Sequence, residues 1–279
     1  MARDLTISQS TLSHRISQLE EELGGIQLIF RTTKSFELTE QGVIFLGYSQ
    51  QILELYDQCL EEMYNIGKNI KEIITITTSK FPGSQILPKF IAEFKTQFPR
   101  INFNTLINNS QKSISLLKND MSDFAGVGSL MHEDKKQFEY FVLGEDVMYF
   151  ICAPNHDLIK NDNEFVKFED LKEYPFISRE EGSGTRNVFE KQFPRYIELN
   201  YELEMNDNDS IISAVSESDY ISVLSNKIAK KAKNAGLIKT LQLKNYPIIA
   251  KRDIYFLKMK NKTLSKLKEK FWNYLKKNV

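Results

Sequence analysis

Two cysteines, three histidines and one tryptophan are few for 279 residues. Cys59 and Cys152 form neither a disulfide framework nor a metal-ligand spacing, which suits a reducing compartment. His14, His132 and His156 are scattered along the chain, so no local zinc site is expected. Neither sign of charge is in excess: 37 basic residues face 37 acidic ones, for a net charge of zero. That argues against indiscriminate coating of nucleic acid and leaves room for a small basic face. No run approaches the ~20 apolar residues that span a bilayer. The opening MARDLTISQS holds no export-type apolar segment. No Ser-His-Asp ordering, metal cluster or phosphate loop stands out. The expectation is a soluble, cytoplasmic protein with no membrane partner, no cofactor and no enzymatic activity. Internal repeats and low-complexity stretches are also missing. The lysine-rich stretch 227–233 reads as a solvated helix face.

What is present begins with 41% hydrophobic residues, enough for cores in more than one unit. In SQSTLSHRISQLEEELG, the apolar residues Leu12, Ile16, Leu19 and Leu23 recur at spacings of four, three and four. This is one stripe of an amphipathic helix. Ser8 or Ser10 can cap its start, and Gly24-Gly25 stops it. Its first turns carry Ser8, Gln9, Ser10, Thr11, Ser13, His14 and Arg15. Short hydroxyl and amide groups with an arginine can reach base edges and phosphates from a recognition helix. The same residues also suit an ordinary capped surface helix. The next segment, IQLIFRTTKSFELTEQG, places a polar turn with Arg31, Thr32, Thr33 and Lys34 between short apolar stretches. It reads as a small hairpin whose basic tip can lie on a phosphate backbone.

No proline interrupts residues 40–71. Phe45, Tyr48, Ile52, Leu55 and Cys59 step by three, four, three and four, a coiled-coil-like seam. A helix of ~30 residues spans roughly 45 Å, longer than a small core can cover. Pairing with a second copy is therefore expected; packing on its own domain is the alternative.

From Glu72 the pattern alternates. EIITITTS reads as a strand, and Gly83-Ser84 opens a helix. INFNTLI, SISLLKN and DFAGVGS follow as strand, helix and strand. VMYFICAP and YPFIS are strands, RNVFEKQF a helix, YELEM a strand, SIISAVSE a helix and YISVLS a strand. A lysine-rich helix, IKTLQL, DIYFLKM and a last amphipathic helix complete the order. Such alternation predicts an α/β region with a largely parallel sheet. Thr77, Thr78, Ser79 and Lys80 follow the first strand and precede a helix. Gly182, Ser183, Gly184, Thr185 and Arg186 do so again. Helix N-termini beyond strand ends suit an anion, and the hydroxyls add donors. The candidate contacts to a small anionic ligand are Thr78, Ser79, Phe81, Ser183, Gly184 and Thr185, with Gly128 and Ser129 lining the same cleft. Arg186 has an internal ion pair as its alternative role.

The N-terminal string resembles the LysR-type DNA-binding signature. Ala2, Leu5, Ser8, Gln9, Ser13, Ile16, Leu19, Glu20, Leu23, Gly24, Leu28, Arg31, Leu38, Thr39 and Gly42 match it in order, with one extra residue between Gly24 and Leu28. ITTSKFPGSQILP, FKTQFP, EDVMYFICAPNHDL, FEDLKEYPFISREEGSGTR and IYFLKMKN resemble the LysR-type effector domain, with a leaning towards its sulfur-metabolism branch. The resemblance implies a winged helix-turn-helix over 1–42, a dimerising linker helix over 43–71 and a periplasmic-binding-protein-like effector domain over 72–279. The last would have two α/β lobes, 72–147 with 250–279, and 148–249, crossing near 146–153 and 246–252. It implies a transcriptional regulator with three partners: double-stranded promoter DNA, a small anionic effector, and itself as homodimer or homotetramer. His156 would sit in a structural turn. The family places a helix before Ala2, so the winged domain is expected to lack its first helix. Either the true start lies upstream, or DNA binding is weakened, since Leu5, Ile16 and Leu19 lose cover worth ~1.5–3 kcal/mol per buried aliphatic side chain. A dimeric sensor that has lost DNA binding, and a solute receptor, remain as alternatives. Relatives carry glycines where Ser218 and Tyr220 stand, so Tyr220 is expected to narrow the cleft.

Overall fold

The computed structural model describes residues 9–31, 36–66, 72–99, 101–159, 164–246 and 248–279. Its chain divides into two compact units, Met1–Asn69 and Ile70–Val279.

In the first unit, α1 spans Gln9–Glu22, β1 Ile29–Arg31, β2 Phe36–Leu38 and α2 Glu40–Ile66. Gly24 and Gly25 end α1 with φ of +78° and +83°, left-handed values that glycine adopts without penalty. β1 and β2 pair antiparallel, Ile29 opposite Leu38. The Glu20 carboxylate accepts the backbone N–H groups of Leu28, at 2.8 Å, and Ile29, at 3.3 Å, tying α1 to the hairpin. Thr39 caps α2: its hydroxyl accepts the Gly42 N–H at 2.9 Å and donates to the Gln27 carbonyl at 2.7 Å. Gly42 has no alternative. A Cβ there would stand 2.0 Å from the Leu28 carbonyl oxygen.

The second unit starts with β3 (Glu72–Ser79), α3 (Lys80–Gln85), α4 (Leu87–Gln97), β4 (Ile101–Asn108), α5 (Ser110–Lys118) and β5 (Phe124–Val127). Then come β6 (Phe138–Cys152), β7 (Phe165–Val166), α6 (Phe168–Leu171), β8 (Pro175–Arg179), α7 (Gly184–Gln192) and β9 (Asn200–Met205). The chain finishes with α8 (Asn208–Ser216), β10 (Ile221–Ser225), α9 (Asn226–Asn234), β11 (Lys239–Leu243), β12 (Ala250–Met259) and α10 (Lys266–Asn278). Ten strands share one sheet in the order β4-β3-β5-β12-β6-β10-β8-β9, with β11 joined to β6 and β7 to β11.

The sheet is mixed rather than largely parallel. β3 is parallel to β4 and β5, and β8 to β9 and β10. At the centre, β12 runs antiparallel to β5 and β6, and β10 and β11 run antiparallel to β6. The reason is that β6 and β12 carry the chain from one half to the other and back, so they pair with each other in opposite directions. Their register runs from Phe138 opposite Met259 to Met148 opposite Ala250. Gly144 sits at the register shift with φ of +149°, a value few side chains tolerate.

Aromatic residues fill both halves. Phe94 meets Phe271 edge-on at 5.1 Å, and Phe124 stacks on Trp272 at 5.8 Å. In the other half Phe150 meets Phe189 and Phe193 at 5.8 and 5.9 Å. Cys152 is fully buried there, and burial pushes its thiol up to about 12, which leaves it unreactive. Cys59, by contrast, is exposed. The helix expected from Gly83-Ser84 instead starts at Lys80, directly on β3, and breaks at Ile86 before α4. Pro88, the second residue of α4, lacks an N–H and is tolerated in a first turn.

Candidate functional site

On α1, Ser10, Thr11, His14 and Arg15 are exposed and Ser13 is half-buried. Leu12, Ile16 and Leu19 are half-buried on the apolar stripe, and Leu28, in the loop before β1, is buried. The helix thus keeps its polar first turns open. Gln9 opens α1 and Arg31 ends β1, while Ser8, Thr33 and Lys34 lie outside the described residues.

Along α2, Tyr48, Ile52 and Leu55 are 65%, 66% and 57% exposed, Cys59 is exposed and Phe45 is half-buried. Leu53, Tyr56 and Met63 are exposed too. An apolar surface this long on one helix is unusual for a free monomer face.

The second site forms where parallel strands end. β3 ends at Ser79, β4 leads to α5 at Ser110, and β8 leads through a turn to α7 at Gly184. The three ends converge on a void of about 20 Å³, lined by Ser79, Phe81, Ser183, Gly184 and Thr185 among others. That is room for about one water. A larger hollow of about 490 Å³ opens beside it, and the two share Ser183.

Side chains and backbone stitch the seam. Asn109 Nδ2 donates to the Glu181 carbonyl at 3.2 Å, and the Gln111 N–H donates to the Gly182 carbonyl at 3.2 Å. Ser129 donates to Asn187 Oδ1 at 2.8 Å, and Lys80 pairs with Asp207 at 2.8 Å. That lysine is the first cause holding the Asp207 carboxyl down at about 2. Gly182 takes a φ of +81°, a left-handed value that favours glycine.

The expected cleft residues separate into two groups. Ser79, Phe81, Ser183, Gly184 and Thr185 line the void. Gly128 and Ser129 line a neighbouring hollow that also reaches Arg252. Thr78 is fully buried: its hydroxyl donates to the carbonyls of Ser79 and Gly126, both at 3.0 Å, and it does not line the void. Strand alternation explains this, since Thr78 and its neighbours on β3 cannot all face the same way. Arg186 takes its internal role, pairing with Glu190 at 2.8 Å and Glu204 at 2.7 Å. Tyr220 turns away from the void, and its hydroxyl donates to Glu202 at 3.0 Å. Neither Ser218 nor Tyr220 takes a positive φ, so this turn works without glycine. His156 is buried, accepting the Leu158 N–H on Nδ1 at 3.1 Å, with Nε2 facing the Asp219 carbonyl at 3.1 Å.

Sequence reading missed Ser110, Arg179 and Arg252, which also line the void. Arg252 Nε and Nη2 donate to Asp146 Oδ2 at 3.1 and 2.9 Å, and Nη1 donates to Thr185 at 3.1 Å. Burial draws the Arg252 pKa down, and Asp146 opposes that. Arg179 holds Glu180 and Asn208. Arg179 lies within the FEDLKEYPFISREEGSGTR stretch without a role read for it, and Arg252 belongs to no local motif, so the fold brings them together here.

Comparison with known proteins matches this arrangement over its whole length. The model for bacterial regulatory helix-turn-helix proteins of the lysR family covers residues 2–43, and that for the LysR substrate binding domain covers 68–279. A helix-turn-helix transcriptional regulator of Methanocaldococcus jannaschii is 34% identical over 99% of this chain and 92% of its own. The activator CmpR of Synechocystis is 29% identical over 98% and 88%, and CysL of Bacillus subtilis 27% over 99% and 91%. Among solved structures, the LysR family regulator CbnR covers 99% of this chain and 91% of its own at 16% identity, with a TM-score of 0.65. The regulatory domain of Synechocystis CcmR, solved with 2-PG, covers 74% and 96% at 24% identity, with a TM-score of 0.64. This chain belongs to the LysR family of helix-turn-helix, DNA-binding transcriptional regulators.

Proposed function

We propose that α1 reads promoter DNA, that α2 pairs two copies, and that a small anionic metabolite held at the seam of the second unit sets the regulator's activity. The DNA contacts are Ser8, Gln9, Ser10, Thr11, Ser13, His14 and Arg15, with Arg31, Thr33 and Lys34 on the phosphate backbone. The pairing seam is Phe45, Tyr48, Ile52, Leu55 and Cys59. The two lobes are 72–147 with 250–279, and 148–249, joined by β6 and β12. The protein works as a sensor without turning its ligand over, in the cytoplasm where its DNA lies.

The observation that carries this reading is the convergence of Ser79, Ser183, Gly184, Thr185 and Arg252 on one small hollow beyond the ends of parallel strands. Helix N-termini and a guanidinium suit an oxyanion. CcmR was solved with 2-PG and QuiR with shikimate, and they support a small organic anion here.

The test is fluorescence anisotropy of a promoter fragment titrated with the protein, with and without a panel of small carboxylates and phosphate esters. The reading expects salt-dependent DNA binding and an anion that changes the affinity or the footprint. DNA binding indifferent to every anion that binds the protein contradicts it.

A further inference from the structure

We infer that the outer face of α9 is a second contact surface for duplex DNA, on which Lys227, Lys230 and Lys231 hold backbone phosphates. The inference goes beyond the reading of promoter DNA by α1 and puts a contact that is blind to sequence on the second unit.

Charge is spread unevenly for a chain whose total is zero. Between Asp219 and Asp253 stand eight basic residues and no acidic one. Folding concentrates that excess. α9 buries Ile228, Ala229 and Ala232 on the side that packs on β6, β10 and β11. At about 100° per residue, Lys227, Lys230, Lys231 and Asn234 share roughly a third of the circumference on the opposite side. All four are exposed. Lys233 stands apart from them and pairs with Glu164 at 2.7 Å. Among the described residues, no carboxylate pairs with Lys227, Lys230 or Lys231. Their contacts are neutral: Lys227 lies 5.8 Å from the centre of the Phe81 ring, and Lys231 donates to Gln85 Oε1 at 2.5 Å. Like charges one turn apart repel, and an anionic partner relieves that repulsion.

The make-up of the face selects the partner. Protein interfaces are depleted of lysine and centre on aromatic and apolar side chains. This face of α9 presents lysine and asparagine alone. Single strands need aromatic platforms for their bases, and the face has none. The apolar side of α9 is used against the sheet, so the helix has nothing to insert into a bilayer. Lysine is a flexible point charge, suited to meeting phosphates without reading base edges. α10 is also rich in lysine but differs. Glu269 interrupts it, Lys268 pairs with Asp123 at 2.8 Å, and Lys270 lies over the Phe98 ring at 4.4 Å.

The test uses the full chain in four forms: wild type; Lys227→Gln with Lys230→Gln and Lys231→Gln; the same three positions changed to Arg; and a control on α10. The control, Lys266→Gln with Lys276→Gln and Lys277→Gln, removes the same charge from exposed positions. Each form is titrated onto a promoter fragment and onto an unrelated duplex between about 50 and 200 mM salt. The glutamine variant of α9 is expected to lose roughly 0.9 from the slope of log affinity against log salt for each lysine. Its low-salt affinity should fall about tenfold on both duplexes alike. The arginine variant and the α10 control should keep the wild-type slope. Hydroxyl-radical footprinting should show one protected backbone stretch lost in the glutamine variant while the rest of the footprint stays. An unchanged slope and footprint in that variant overturns the surface and leaves DNA reading by α1 standing. An equal loss in the control overturns it too, since net charge alone would then be acting. Loss on the promoter only also overturns it, because that marks base reading. Failure of the wild type to bind either duplex overturns both this surface and the reading by α1.

Discussion

Arg252 and Asp146 face each other in register on the two central strands, their side chains 2.9 Å apart and 4% and 0% exposed. The Asp146 carboxylate also accepts from Ser225 at 2.8 Å, and Arg252 reaches Thr185. A charge pair this deep survives only because both partners and their neighbours satisfy each other. Arg252→Met is expected to cost about 3–5 kcal/mol by stranding Asp146, and Asp146→Asn in the same chain to recover a large part. Urea unfolding of the single and double variants measures the difference. Equal destabilisation by both would contradict the pairing.

Gly42 sets the start of α2 against the loop before β1. Gly42→Ala places a carbon on the Leu28 carbonyl oxygen. The expected cost is at least about 1–3 kcal/mol, the usual range for overpacking. Because Gly42 and Leu28 both lie in the first compact unit, the loss should fall on the DNA-reading one. Promoter binding should drop while anion-induced stabilisation of the second unit persists.

The exposed stripe on α2 predicts an oligomer held by apolar contact. Ile52→Asp with Leu55→Asp introduces two charges at positions now 66% and 57% exposed. In a monomeric helix these changes are nearly neutral, within about 0.5 kcal/mol. In a paired helix they bury charge and split the pair. Sedimentation velocity should therefore show the double variant at half the mass of the wild type or less.

Lys80 and Asp207 predict an acid-sensitive seam. The Asp207 pKa is lowered from 3.8 to about 2, first by Lys80 and then further by the backbone and hydroxyl of Ser210. A lowered folded-state pKa adds stability that is fully present above the ordinary value and is lost as pH falls through the folded one. The window is therefore pH 4 down to 2. Asp207→Asn should lower the urea midpoint at pH 7, where the pair is intact in the wild type, and flatten its fall across that window.

Much of the fold is legible in the chain because local chemistry and tertiary role agree. Thr39 caps a helix and Gly42 clears a carbonyl, so their spacing announces a turn. The α2 stripe is visible as periodicity. Other parts depend on distant partners. The first half of β6, FEYFVLGED, mixes charges and a glycine and resembles a loop; β12 makes it a strand. Thr78 looks like a ligand donor until the pleat turns it inward to Gly126. Arg252 sits in an unremarkable AKRD stretch and Ser110 in an ordinary helix start. Both gain meaning only when residues far apart in sequence converge on one void.

The central claim joins a reader at the N-terminus to a sensor behind it, and genome-wide mapping of bound DNA tests it most directly. Wild type and Arg15→Ala would be crosslinked in cells and the recovered fragments sequenced. Discrete promoter-proximal peaks for the wild type, lost or strongly reduced in Arg15→Ala, are predicted. Even coverage for the wild type, or the same peaks in both proteins, would contradict the account.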